Sequence, residues 1–122
     1  MQAEERVRLA QELQHLHASV CSAISDPTRI AILYELADQP HNVSELVELL
    51  NLPQSSASRH LKTLRDHHLV HAERQGTNVV YSLADRRVIT ALDLLRQVLA
   101  EHLAESAALA EVLDEPHAVQ VA

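Results

Sequence analysis

Within "LPQSSASRHLKTLRDHH", Ser55, Ser58, Arg59 and Lys62 stand at i, i+3, i+4 and i+7, which puts them on one face of a helix. Ala57, Leu61 and Leu64 fall on the opposite face. These residue types suit recognition of phosphates and base edges. Short hydroxyls near a helix N-terminus let the backbone approach a phosphate and donate to it together with the free N–H groups of the first turn. Arg59 offers the planar fork that fits a guanine edge, and Lys62, the only lysine in the chain, offers a point charge suited to phosphate. A solvated helix face with no partner would carry the same residue types, so the surroundings must decide.

Charge placement is the first test. The 122 residues carry 10 Lys+Arg against 17 Asp+Glu, a net −7 that by itself argues against a polyanionic partner. Residues 54–78, however, hold four basic against two acidic side chains, a local +2. Residues 1–25 sum to −1, 26–53 to −4 and 85–122 to −4, so the only net-basic block is the serine-rich helix and the segment after it.

The flanking elements are legible from their periods and caps. Leu9, Leu13, Leu16, Val20 and Ile24 predict a helix over 4–24. Asp26 as N-cap, with Pro27 in the first helical position, opens a second helix that Pro40 stops. Asn42 and Glu45 form a capping-box pattern for a third helix, and Pro53 is expected as the first helical residue of the fourth. The period then becomes two in "LVHAERQGTNVVYSL", with Val79, Tyr81 and Leu83 on one face and Gly76, the chain's only glycine, at the turn of a β-hairpin. Arg74, Gln75, Thr77 and Asn78 supply donors at its tip. From Asp85, a candidate N-cap, a last helix is expected over 86–115. Val88, Leu92, Leu95, Leu99, His102, Ser106, Leu109 and Leu113 follow a 4,3 repeat there, the spacing of a helix that packs lengthwise on another.

This order predicts a mainly α fold with a small β-hairpin, a winged helix-turn-helix of order α1-α2-α3-α4-β1-β2-α5. A single domain spans 1–116, with the helix-turn-helix at 43–67, the wing at 69–83 and dimerisation helices at 4–24 and 86–115. Residues 117–122 are expected to be a disordered tail. With 2% aromatic residues and no Trp or Phe, the core must be Leu, Val, Ile and Ala. No apolar run approaches the roughly eighteen residues of a membrane span, and the N-terminus has no signal-sequence pattern, so a cytoplasmic location is expected. There is no glycine-rich phosphate loop and no nucleophile with base and orienter, which argues against an enzyme.

Three stretches, "SDPTRIAIL", "NVSELVELLNLPQSSASRHLKTLRDHHLV" and "ERQGTNVVYSL", occur in the order and at the separations of the ArsR/SmtB family of bacterial winged-helix repressors, which the chain resembles over roughly residues 16–88. The resemblance implies a homodimer joined through the first and last helices, repression from a palindromic double-stranded DNA operator, and release on binding a metal or metalloid or on thiol oxidation. Carried over, the DNA-reading positions are Gln54, Ser55, Ser56, Ser58, Arg59 and His60, with Arg74, Gln75, Thr77 and Asn78 as wing. Lys62 joins them from its place on the polar face. The dimer seam would use Leu9, Leu13, Leu16, Val20, Val88, Leu92, Leu95, Leu99, His102 and Leu109.

Neither of the family's best-known sensor sites is intact. Where the arsenic and lead type has a "CVCDL" pattern this chain has "NVSEL", with Asn42 and Ser44 in place of thiolates. The zinc-type positions on the last helix fall on Asp85, Arg87, Val98 and Glu101, and a guanidinium cannot deprotonate to admit a cation. A shifted site for Zn²⁺, Ni²⁺ or Co²⁺ remains conceivable from His15, His17, Cys21, His102, Glu105 and His117, against the ordinary reading of packed or solvated histidines. The trio His67, His68 and His71 is a weaker ligand set, because it straddles the junction of helix and strand. Cys21, the single cysteine, makes no intrachain disulfide but admits a thiol-responsive repressor as an alternative, as does a repressor with no effector. From another function class, a dimeric protein-interaction module without DNA binding is compatible with the acidic total charge.

Overall fold

The computed structural model describes residues 1–114, and the tail expected at 117–122 lies outside them. The first helix, α1 (Ala3–Leu16), runs into a π turn over His17–Cys21, so the helix expected at 4–24 forms with its last turn widened. There Ser22 N–H donates to His17 O at 2.9 Å, an i→i+5 bond for which the sequence carries no signal. α2 (Pro27–Asp38) begins where its cap predicts: Asp26 Oδ1 accepts from the amides of Thr28 at 2.8 Å and Arg29 at 3.2 Å.

Between α2 and α3 lies a strand that the sequence did not suggest. β1 (His41–Asn42) pairs antiparallel with β3, His41 opposite Tyr81, so the order is α1-α2-β1-α3-α4-β2-β3-α5 and the sheet has three strands, β1-β3-β2. Two residues are too few to show a period of two, and tertiary pairing alone makes them a strand.

α3 (Val43–Leu50) has the full capping box, with Glu45 N–H donating to Asn42 Oδ1 at 2.9 Å and Asn42 N–H to Glu45 Oε1 at 3.1 Å. It ends on Asn51 in the left-handed region (φ 52°), where Leu52 N–H closes back on Val47 O at 3.1 Å. Pro53 proves to be the N-cap of α4 (Gln54–Asp66) rather than its first helical residue. Its ψ of 142° is extended, while its carbonyl already accepts from Ala57 N–H at 3.0 Å. α4 closes on His68, also left-handed (φ 62°), with Leu69 N–H reaching Leu64 O and His68 N–H reaching Arg65 O, a Schellman pair.

β2 (Val70–Gln75) and β3 (Asn78–Leu83) form the hairpin, with Gln75 opposite Asn78 across a two-residue turn. Gly76 takes φ +64°, the positive value that the first position of such a turn demands, and no atom stands where a Cβ would go. Residues 1–86 form one compact unit, with a core of Ala23, Ile32, Leu33 and Leu36, Leu46, Ala57, Leu61 and Leu64, and Leu69 and Val70. The second unit begins at Arg87 and is a single helix, α5 (Arg87–Asp114), among the described residues.

Candidate nucleic-acid interface

The core fixes which way α4 faces. Ala57, Leu61 and Leu64 are fully buried, and the helix packs against α2, α3 and β2. The opposite side is open: Gln54, Ser55, Ser58, Arg59 and Lys62 are exposed and Ser56 is half-buried. Burying three apolar side chains on one flank holds the backbone rigidly, so the polar flank is presented on a fixed element. No side chain caps the N-terminus of α4, which leaves its first-turn amides free of an intramolecular side-chain acceptor. At the hairpin tip Arg74, Gln75, Thr77 and Asn78 are all exposed.

Two of the anticipated reading residues have partners of their own. Lys62 Nζ donates to Asp66 Oδ2 at 2.8 Å, and this bond, with the lysine charge, holds the Asp66 carboxyl below its ordinary range. His60 is half-buried, and its Nδ1 accepts from Arg29 Nη1 at 3.4 Å. One ring nitrogen of this expected DNA-reading residue is thus engaged with α2, by a partner 31 positions away.

Arg29 was not singled out by sequence. Its Nε donates to Ala23 O at 2.5 Å and its Nη2 to Ser22 O at 3.2 Å, so one guanidinium joins the segment after α1, α2 itself and α4. Beside it the Asp26 carboxyl is held below its ordinary range: partial desolvation pushes it up, but the amides of Arg29 and Thr28 and the charge of Arg29 outweigh that. His41 was also missed. It is 4% exposed, with Nδ1 3.3 Å from Glu45 Oε2 and Nε2 without a hydrogen-bond partner. The bond from the Asn42 amide, followed by that from His41, lowers the Glu45 carboxyl.

The proposed seam residues divide. α1 has no buried residue: Leu9, Leu13 and Leu16 are exposed, the last two by about half, and Val20 is half-buried. On α5, Leu95, Leu99 and Leu109 are 55–62% exposed and His102 is exposed, whereas Val88 is half-buried. Leu92 is 7% exposed. Of the metal candidates, His15, His17, His102 and Glu105 are exposed, Cys21 is half-buried and His117 lies outside the described residues. Among the described residues no three His, Cys, Asp or Glu side chains converge as a metal site within one chain. His67, His68 and His71 are included in that statement. Among the described residues no helix is long and apolar enough to cross a membrane.

Residues 26–72 match the model of the family described as bacterial regulatory protein, arsR family. A transcriptional repressor SmtB homolog from Synechocystis sp. is 40% identical over 89 residues, covering 73% of this chain and 64% of the relative, so the chain spans less than two thirds of that protein. Among solved structures, Rv0081 of M. tuberculosis superposes with a TM-score of 0.70 at 32% identity, over 78% of this chain and 96% of that one. The homodimeric winged helix-turn-helix DNA-binding domain of a possible ArsR-family transcriptional regulator from Mycobacterium bovis gives 0.67 at 28% identity, over 85% and 93%.

Proposed function

Since this chain belongs to the arsR family of bacterial regulatory proteins, we propose that it is a homodimeric, sequence-specific DNA-binding repressor with no catalytic role. The observation that carries this reading is the division of α4, anchored through Ala57, Leu61 and Leu64 and open along Ser55, Ser58, Arg59 and Lys62. In a two-fold dimer, two copies of α4 enter successive major grooves about 34 Å apart. Hydroxyls and first-turn amides take phosphates, Arg59 reads a base edge, and the tip from Arg74 to Asn78 touches the flanking backbone or minor groove. The local +2 of one protomer is doubled in the dimer, which offsets the acidic remainder.

Dimerisation is supported by the uncovered apolar faces of α1 and α5, which a monomer in water does not leave open at this size. As effector, a Zn²⁺, Ni²⁺ or Co²⁺ ion needs ligands from both protomers, because one chain's described residues do not assemble a site. Adding Zn²⁺, Ni²⁺ or Co²⁺ to the metal-free protein beside His102→Ala tests it: stoichiometric binding that releases DNA and is lost in the variant supports the shared site, and no binding of any of the three ions removes it.

The DNA reading is tested by fluorescence anisotropy on the duplex upstream of the chain's own coding sequence. Tight binding whose logarithm falls linearly with the logarithm of salt concentration supports it. No salt-dependent binding to any duplex would instead favour a protein-interaction module.

A further inference from the structure

From its place on α2, Arg29 donates to two carbonyls of the segment after α1 and to a ring nitrogen on α4. Nε and Nη2 hold Ala23 O and Ser22 O, carbonyls just past the π turn that ends the first helix, and Nη1 holds His60 Nδ1 on α4. A guanidinium is planar and its donors point in fixed directions, so displacing one acceptor moves the fork toward or away from the others. Its base is fixed as well, because the Arg29 amide is held by Asp26 Oδ1 at the N-terminus of α2. Both carbonyls lie at the end of a helix, where a cation is favoured by the helix dipole, and Ser22 O accepts from Ser25 Oγ at 2.7 Å as well.

We propose that Arg29 is a positioning residue that couples α1 to α4, so that the set of α1 at the dimer seam determines how α4 is held for DNA. This rests on the DNA-binding reading for its consequence but not for its geometry. It assigns His60 to the relay rather than to the DNA. The acceptor role requires His60 Nδ1 to be unprotonated, which leaves the ring proton on Nε2.

Four variants test it: Arg29→Gln, His60→Leu, His60→Asn and the Arg29→Gln/His60→Leu double. Asn places an acceptor oxygen close to where Nδ1 stands, and Leu removes it. His60→Leu should lower affinity for the upstream duplex about tenfold, as expected for loss of one hydrogen bond to a charged group, and Arg29→Gln, which also loses Ser22 O and Ala23 O, at least as much. His60→Asn should recover most of what His60→Leu loses, and the double variant should bind no worse than the weaker single one. Additive losses, or Asn as weak as Leu, would put His60 on the DNA and overturn the coupling, as would unchanged affinity in Arg29→Gln. Amide hydrogen exchange without DNA gives an independent readout. In Arg29→Gln exchange should quicken both at residues 17–24 and along α4, and an effect confined to the start of α2 overturns the proposal. If the wild type binds no duplex, the DNA reading falls while the exchange result still decides the coupling. Should Arg29→Gln fail to fold, the two His60 variants decide it by the same criteria.

Discussion

Lys62 and Asp66, one turn apart on α4, are joined by a 2.8 Å ion pair, so the chain's only lysine is held by an acid on its own helix. Both side chains are largely exposed, at 77% and 56%, so the pair adds little to stability and yields readily to a stronger anion. A phosphate that recruits Lys62 must take it from Asp66, which taxes non-specific binding.

Asp66→Asn should therefore raise affinity for all duplexes alike, about three- to tenfold at moderate salt. Lys62→Ala should weaken all duplexes alike and reduce the salt slope by about 1. Arg59→Ala should act differently, costing about 1–3 kcal/mol on the preferred sequence and much less elsewhere. Anisotropy titrations across salt on specific and scrambled duplexes separate the three. An Arg59 variant that loses equally on both would remove that residue from base reading.

Acid should loosen the caps. Asp26 and Glu45 both have carboxyls held below their ordinary range by bonds present only in the fold. Each contributes stability in full above the unfolded carboxyl value near 4, and loses it as pH falls from there through the lowered folded value. Thermal melts between about pH 5 and 2.5 should show this decline. In Asp26→Asn and Glu45→Gln the decline should be shallower, and an unchanged slope would contradict the assignment.

How much of this was legible follows from how far each signal reaches. Asp26 with Pro27, Asn42 with Glu45, and Gly76 at the hairpin tip are local devices whose partners lie within a few residues, and each forms where its residues stand. Pro53 was misplaced by one position, because a proline suits both sides of a helix start and only its ψ distinguishes them. β1 and the π turn left no pattern, the first for want of length and the second because one extra residue in a turn changes no composition. His60 is expected among the DNA-reading residues because the family resemblance carries it there, and the same position also reaches Arg29. Only tertiary distance shows that second contact.

His68 closes α4 in a conformation that costs a side chain with a Cβ. Replacing it with glycine should stabilise the fold by about 0.5–1 kcal/mol, read as a higher denaturant midpoint with an unchanged slope. A lower midpoint would mean that the imidazole makes a compensating contact.

Leu99 is 55% exposed in the middle of the α5 stripe. Leu99→Glu should raise the dimer dissociation constant at least about a hundredfold, since a carboxylate in the seam must be desolvated without a partner. Sedimentation velocity over a concentration series measures it, and a dimer that persists at wild-type concentrations would move the seam away from this stripe. DNA affinity should fall in parallel, because one half-site contact then has to be made without the other.

The two-residue turn between Gln75 and Asn78 makes the wing a structure of fixed parity. Side chains alternate faces along each strand, so one inserted residue either inverts the face shown by everything beyond it or is expelled as a bulge, whereas two inserted residues restore the pattern. Among descendants of this sequence the length of the wing should therefore change in steps of two residues on each strand, each step adding about 7 Å of ribbon, and intermediate lengths should be rare.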